Sequence, residues 1–253
     1  MGNKRKTFKR VFFGSALGLG LLSLVSGLQV NAGDAHKPDP AALLYIGDSH
    51  TVGGFGRILD RKLRELPAAS VAAVTVASYG SCGSSPVHWY NGWRTRCGWV
   101  ERSVDGKSRG ATVGATPHVE LLIQKHQPKL LVIALGANLM SAGMDSIRNS
   151  TRRMMDTVRA SGAQCVWVGP PNGRNKAEPK FSELVAELQK ITEGTCSFVD
   201  SRPLTQYPAS GGDGAHFDGL PAAVRDPILA TWTSGVMNEV SVVWKTIGTS
   251  HGN

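Results

Sequence analysis

The chain has no CxxC pair, no short repeat, no long polar tract and few acidic residues. Each absence removes a class of protein. Without CxxC, a zinc site has poor support. Without a repeat or a low-complexity tract, collagen-like, solenoid and disordered classes drop out. Aromatic residues make up 7% and charged residues 19% of the 253 positions, while 41% are hydrophobic and 30 are glycine. That length and composition fit one α/β domain with a sizeable core. The shortage of acids is the oddest feature, because 19 Asp and Glu face 28 Lys and Arg and leave a formal charge of +9. Taken alone, the excess points to a nucleic acid or another anionic surface.

The first residues account for much of it. Lys4, Arg5, Lys6, Lys9 and Arg10 precede an apolar stretch from Val11 to Leu28, followed by Val30, Asn31 and Ala32. A positive segment, an apolar segment and small residues before a cut are the layout of a secretory signal peptide, with cleavage expected after Ala32. An uncleaved membrane anchor is the alternative, since the stretch approaches the length of a spanning helix. No cysteine lies near its end for a lipoprotein anchor, and Lys6 stands where N-myristoylation wants Ser or Thr. The expectation is therefore a signal over 1–32 and a single domain over 33–253, exported to a bacterial periplasm or secreted, with no stable membrane anchor after cleavage. The remaining chain carries only +4. No patterned basic stripe survives in it, so nucleic acid is not the expected partner; Arg148, Arg152, Arg153 and Arg159 read as one solvated helix face.

Export changes the meaning of the four cysteines. Cys82, Cys97, Cys165 and Cys196 form an even set in a chain bound for an oxidising compartment, so disulfides are expected rather than four buried thiols. Cys82 with Cys97 would close a short loop worth roughly 3 kcal/mol on the chain-entropy model. Cys165 with Cys196 would join the starts of two neighbouring strands.

Apolar runs and helical periods alternate along the rest. Ala41 to Ile46, Val71 to Ala77, Leu130 to Leu135, Cys165 to Val168 and Ser197 to Val199 read as strands; Phe55 to Leu66, Val119 to His126, Met144 to Ala160 and Phe181 to Ile191 read as helices, with a last helix from about Pro221. Five strands separated by helices predict a parallel sheet covered on both faces. Tyr79 to Thr116 shows no period, and so long a loop is usually functional.

Ligands of such sheets bind beyond the carboxyl ends of the strands. There the chain places Gly47-Asp48-Ser49-His50-Thr51, Ser78-Tyr79-Gly80-Ser81-Cys82-Gly83, Gly136-Ala137-Asn138 and Asp213-Gly214-Ala215-His216. A serine hydroxyl is a weak nucleophile until an imidazole takes its proton, and the imidazole needs a partner to hold its tautomer. Ser49, His216 and Asp213 can fill those parts. The oxyanion of an acyl-transfer intermediate needs preset donors, which Asn138 and a glycine N–H can supply.

These four blocks resemble the signature blocks of the SGNH (GDSL-type) hydrolase superfamily over nearly the whole chain after the signal. The resemblance implies a three-layer α/β/α flavodoxin-like sandwich, a Ser49 nucleophile with the His216 and Asp213 pair, and an oxyanion hole from the Ser49 N–H, the Gly83 N–H and the Asn138 side chain. Gly80 competes with Gly83 for the donor role, and Ser78 stands where many members have Asn. The forms Gly47 to Thr51 and Asp213 to His216 are similar to the branch containing peptidoglycan O-acetylesterases, although there is no room for the carbohydrate-binding insertion some of those enzymes carry.

Trp89, Tyr90, Trp93 and Trp99 with Arg94 and Arg96 crowd one part of the long loop. Either they form a stacking wall for sugar rings, or they pack the loop onto the domain. Trp89, Tyr90, Trp93 and Arg94 are the candidate substrate contacts. The expected activity is an exported serine esterase that removes O-acetyl groups from a cell-wall polysaccharide, peptidoglycan first, with no cofactor and no metal. The competing readings are a glycan-strand-cleaving enzyme on the same scaffold, a lipase or thioesterase, an O-acetyltransferase, and a non-catalytic glycan-binding module. Alkylation of the unfolded protein checks the cysteines: no thiol reacts before reductant and all four react after it, whereas four reactive thiols without reductant contradict the pairing.

Overall fold

In a computed structural model, the described residues are 42–67 and 74–249. The expected signal over 1–32, Ala41 and residues 71–73 lie outside them. Among the described residues no helix is long and apolar enough to cross a membrane.

The chain order is β1 (Leu43–Gly47), α1 (Ser49–Val52), α2 (Gly54–Arg64), β2 (Val76–Ser81), α3 (His88–Asn91), β3 (Arg94–Thr95), β4 (Trp99–Arg102), β5 (Ser108–Ala111), β6 (Gly114–Ala115), α4 (Val119–His126), β7 (Leu130–Ala134), α5 (Met144–Ser161), β8 (Gln164–Val168), α6 (Lys180–Thr192), β9 (Ser197–Val199) and α7 (Ala222–Thr249). Five strands pair in parallel in the order β2-β1-β7-β8-β9. That is the flavodoxin-like order, with its switch point between β1 and β7.

Strand residues alternate between two cores, as a pleated sheet requires. Leu43, Tyr45, Val76, Leu130, Val132 and Val166 face α2 and α7, whose Phe55, Leu59, Trp232, Val236 and Val240 complete one apolar layer. Leu44, Ile46, Ala77, Leu131, Ile133 and Trp167 face α3 to α6, meeting Trp89, Val119, Met154, Leu184 and Leu188. The described residues thus form a three-layer α/β/α sandwich.

Two expectations need correction. The sheet has seven strands, because β4 and β5 extend it antiparallel beyond β2. They hide in the long loop because Arg102 occupies an inward position of β4 and β5 is exposed throughout, so neither alternates in hydrophobicity. What holds β5 is cross-strand charge: Arg109 donates to Glu101 at 2.6 and 2.8 Å. The second strand also runs later than its apolar residues suggest, through Ser78, Gly80 and Ser81. Those serines are buried but bonded, Ser78 to Asp60 and Ser81 to Thr116.

Cys82 is bonded to Cys97 and Cys165 to Cys196. The second bridge ties β8 to the turn before β9. At the first strand's carboxyl end, α1 and α2 pack so closely that a Cβ on Gly56 would lie 1.9 Å from the Thr51 carbonyl oxygen. Two guanidinium nitrogens of the buried Arg102 donate to that same oxygen, at 3.2 and 3.3 Å. Gly56→Ala must therefore push this turn apart, costing about 1–3 kcal/mol by overpacking; chemical denaturation measures it, and an unchanged midpoint would contradict the close approach.

Candidate active site

Four chain segments converge beyond the carboxyl ends of β1, β2, β7 and β9. The first is the turn after β1. Asp48 is fully buried and its Oδ1 accepts the His50 N–H at 3.0 Å, capping the short α1. Thr51 Oγ1 donates to the buried Tyr45 hydroxyl at 2.9 Å, which pins the turn to its own strand. Ser49, the first residue of α1, stays partly exposed above the sheet edge.

The histidine arrives from the loop before α7. His216 Nε2 lies 2.9 Å from Ser49 Oγ, and its Nδ1 lies 2.6 Å from Asp213 Oδ2. A carboxylate only accepts, so Nδ1 carries the proton and Nε2 is left to accept from the serine hydroxyl. The other Asp213 oxygen accepts the backbone N–H groups of Ala215 and His216 at 2.9 and 2.7 Å. Partial burial raises the Asp213 carboxyl, but the bonds from the His216 N–H, its ring and the Ala215 N–H outweigh this and hold it well below the usual carboxylate range. Asp213 is consequently a carboxylate beside the His216 ring.

The third group lies between the ends of β2 and β7. Asn138 sits in a one-turn 3₁₀ helix after β7 and donates Nδ2–H to the Ser84 carbonyl at 2.9 Å. That bond fixes the amide plane while using only one of its two N–H groups. Gly80 lies inside β2, paired with Gly47 and Val100, whereas Gly83 lies past the strand in the turn beneath the Trp93 ring.

Of the expected substrate contacts, two are core residues. Trp89 is fully buried and donates Nε1–H to Ser84 Oγ at 3.2 Å. Tyr90 is 8% exposed, and its hydroxyl reaches Thr157 Oγ1 and the Arg153 carbonyl on α5. Large apolar rings on the inward face of α3 win their burial energy there rather than at a surface. Trp93 is half-buried and stacks on His88 with centroids 4.6 Å apart, and Arg94 is exposed on β3. Of the four candidate contacts, Trp93 and Arg94 remain at the surface.

Sequence reasoning missed the supporting shell. Both Asp218 carboxylate oxygens accept the Gly54 N–H, at 3.0 and 2.9 Å, so a residue two positions after the histidine caps α2. Lys176, from the loop after β8, donates to the Ala137 carbonyl at 2.9 Å and lies beside Asp48. The spacing of His216-Phe217-Asp218 could have flagged the cap; nothing local marks Lys176. Among the described residues, no group of three or more His, Cys, Asp or Glu side chains is placed to hold a metal ion.

Burial shifts two groups in opposite directions. It pushes the Asp48 carboxyl up to about 6 and the His50 imidazole down to about 3. A raised carboxyl favours the fold at low pH and costs stability as pH climbs from about 4 to about 6; a lowered imidazole does the reverse, favouring the fold as pH rises from about 3 to about 6.5. The two contributions offset each other in the acid range. In Asp48→Asn the offset disappears, so the stability of the variant relative to wild type should rise by up to about 3 kcal/mol between pH 4 and pH 6 and stay flat above. Denaturant titrations across that range measure it, and a pH-independent difference would contradict a buried, ionising Asp48.

No protein-family model matches the sequence, and no curated protein matches it. Solved structures do match. A DUF4886 family protein from Bacteroides uniformis aligns with a TM-score of 0.51 and 14% identity, over 79% of this chain and 84% of its own. An acetylxylan esterase from Geobacillus stearothermophilus aligns at 0.50 and 14%, over 79% and 96%. A peptidoglycan O-acetylesterase aligns at 0.47 and 11%, over 80% and 92%. With its flavodoxin-like strand order and three layers, the chain shares its fold with the DUF4886 protein and the acetylxylan esterase.

Proposed function

We propose that the chain is an exported serine esterase that removes O-acetyl groups from a cell-wall glycan, peptidoglycan in the first instance. The observation that carries this reading is the continuous line from Asp213 Oδ2 through His216 to Ser49 Oγ, with contacts of 2.6 and 2.9 Å at the sheet's switch point. In this reading Ser49 attacks the acetyl carbonyl while His216 Nε2 takes its proton. The tetrahedral oxyanion is received by the Ser49 N–H, the Gly83 N–H and the second Asn138 N–H, each donor of this kind being worth roughly 3–4 kcal/mol. Collapse breaks the bond from the acetyl carbon to the sugar oxygen, which takes the proton from His216 and leaves as the sugar hydroxyl. Water activated by the same imidazole then releases acetate from Ser49.

The substrate class rests on several supports. The acetylxylan esterase that shares the fold acts on an acetylated glycan. The side chains of Asp213 and His216 are 55% and 43% exposed, so the site is open enough for a polymer to lie across it. The Trp93 ring lies over Gly83, and the exposed Arg94 follows it in the chain, offering a ring and a cation to a sugar acid. Two disulfides and the basic, apolar N-terminal sequence support export.

Mass spectrometry of O-acetylated peptidoglycan after treatment tests the reading. Wild type should remove acetyl mass and leave strand length unchanged, while Ser49→Ala should be slower by at least about a thousandfold. Shortened strands, or acetyl loss at the wild-type rate with Ser49→Ala, would overturn it.

A further inference from the structure

The loop between β8 and α6 carries none of the four residue blocks, yet it touches both sides of the site. Its Gly173–Lys176 turn is closed by the Lys176 N–H on the Gly173 carbonyl at 3.0 Å. One arm of the turn is Arg174. Its Nη1 donates to the Pro208 and Gly211 carbonyls at 3.2 and 2.9 Å, and its Nη2 to the Gly212 carbonyl at 3.3 Å. The same guanidinium lies 5.5 Å over the Tyr207 ring. The Tyr207 hydroxyl in turn donates to the His216 carbonyl at 3.1 Å and lies 3.5 Å from Asp213 Oδ1. The other arm is Lys176, on the carbonyl of the residue before Asn138.

The segment held by Arg174 has little shape of its own. Residues 208–214 contain no helix or strand, and Gly211, Gly212 and Gly214 all have positive φ. Such a segment loses much conformational freedom when it orders, so something outside it must select one conformation. A rigid fork of donors placed on three carbonyls does that better than any single contact. The backbones also meet: a Cβ on Gly173 would come within 2.9 Å of the Gly214 carbonyl oxygen.

We propose that Arg174 is a positioning residue for the Asp213–His216 pair, acting through the 208–212 backbone and Tyr207, and that the Gly173–Lys176 turn thereby sets the spacing between that pair and the Asn138 turn. The inference rests on the reading of Ser49, His216 and Asp213 as the reacting set. Arg174 is exposed and buries little apolar surface, so its loss acts on geometry more than on folding.

Steady-state turnover of p-nitrophenyl acetate by the full chain and its variants tests this, alongside thermal melting. Arg174→Ala should lower kcat by about tenfold to a hundredfold with KM nearly unchanged, as a displacement of about an ångström in a reacting group does. Arg174→Lys should recover part of the loss, because an ammonium reaches one or two of the carbonyls but not three. Tyr207→Phe should lower kcat less, and the double variant Arg174→Ala with Tyr207→Phe should be no slower than Arg174→Ala alone. Wild-type kcat in Arg174→Ala would overturn the proposal, as would a rise in KM at unchanged kcat, which would mark a substrate contact instead. If Arg174→Ala melts early, Arg174→Lys and Tyr207→Phe decide the matter by the same criteria. Turnover by Ser49→Ala at the wild-type rate would instead remove the underlying assignment, so the two failures are separable.

Discussion

Everything in the site depends on a contact of 2.9 Å between His216 Nε2 and Ser49 Oγ, which joins residues 167 positions apart. Neither partner's own secondary structure enforces it. The serine side is fixed by Asp48 at the start of α1 and by Arg102 on the Thr51 carbonyl at its end. The histidine side is fixed to the serine side rather than to the strand it follows. Asp218 places a carboxylate on the Gly54 N–H, where an anion gains from a helix N-terminus. Phe217, between the two, packs against Trp232, which stacks on Phe55 of α2 at 3.6 Å. Cap and ring contacts together tie the loop to α2, directly after the short helix that carries Ser49.

That arrangement puts polar groups where burial is costly. Asp48 is 2% exposed and His50 8%, and desolvation shifts each toward its neutral form. Lys176 beside Asp48 offsets part of the cost, and burial lowers its own pKa in turn. The buried carboxylate nevertheless does something no apolar residue could, since its oxygen holds the His50 N–H and hence the turn that presents Ser49. Stability given up at a site for geometry is the usual trade.

Much of this was legible in the sequence, for identifiable reasons. Val119–His126 stands where its helical period predicts it, and four of the five parallel strands, all but β2, follow their apolar runs because both faces of the sheet are covered. The blocks holding Ser49, Asn138 and His216 could be assigned to one sheet edge because each follows a strand, whereas the block from Ser78 to Gly83 begins inside β2. What escaped was anything whose meaning depends on a distant partner. Arg102 lies in the long stretch without a period and is buried on a carbonyl; Ser78 and Ser81 read as loop and sit inside a strand of the sheet, satisfied by Asp60 and Thr116. Trp89 reads equally as a sugar-stacking ring or a loop-packing one and is the latter, a buried donor to Ser84, whose carbonyl holds the Asn138 amide. Arg174 is a lone cation in a Pro- and Gly-rich stretch, with no local pattern to reveal the three carbonyls it holds.

The covalent intermediate is the most direct test of the account. Protein quenched during turnover of an acetyl ester and mapped by peptide mass spectrometry should carry a single acetyl group on the peptide holding Ser49, absent from Ser49→Ala and longer-lived in a His216→Ala variant acetylated by an activated ester. An acetyl group on any other residue that forms and decays at the turnover rate, or full turnover with Ser49 never acylated, would contradict it.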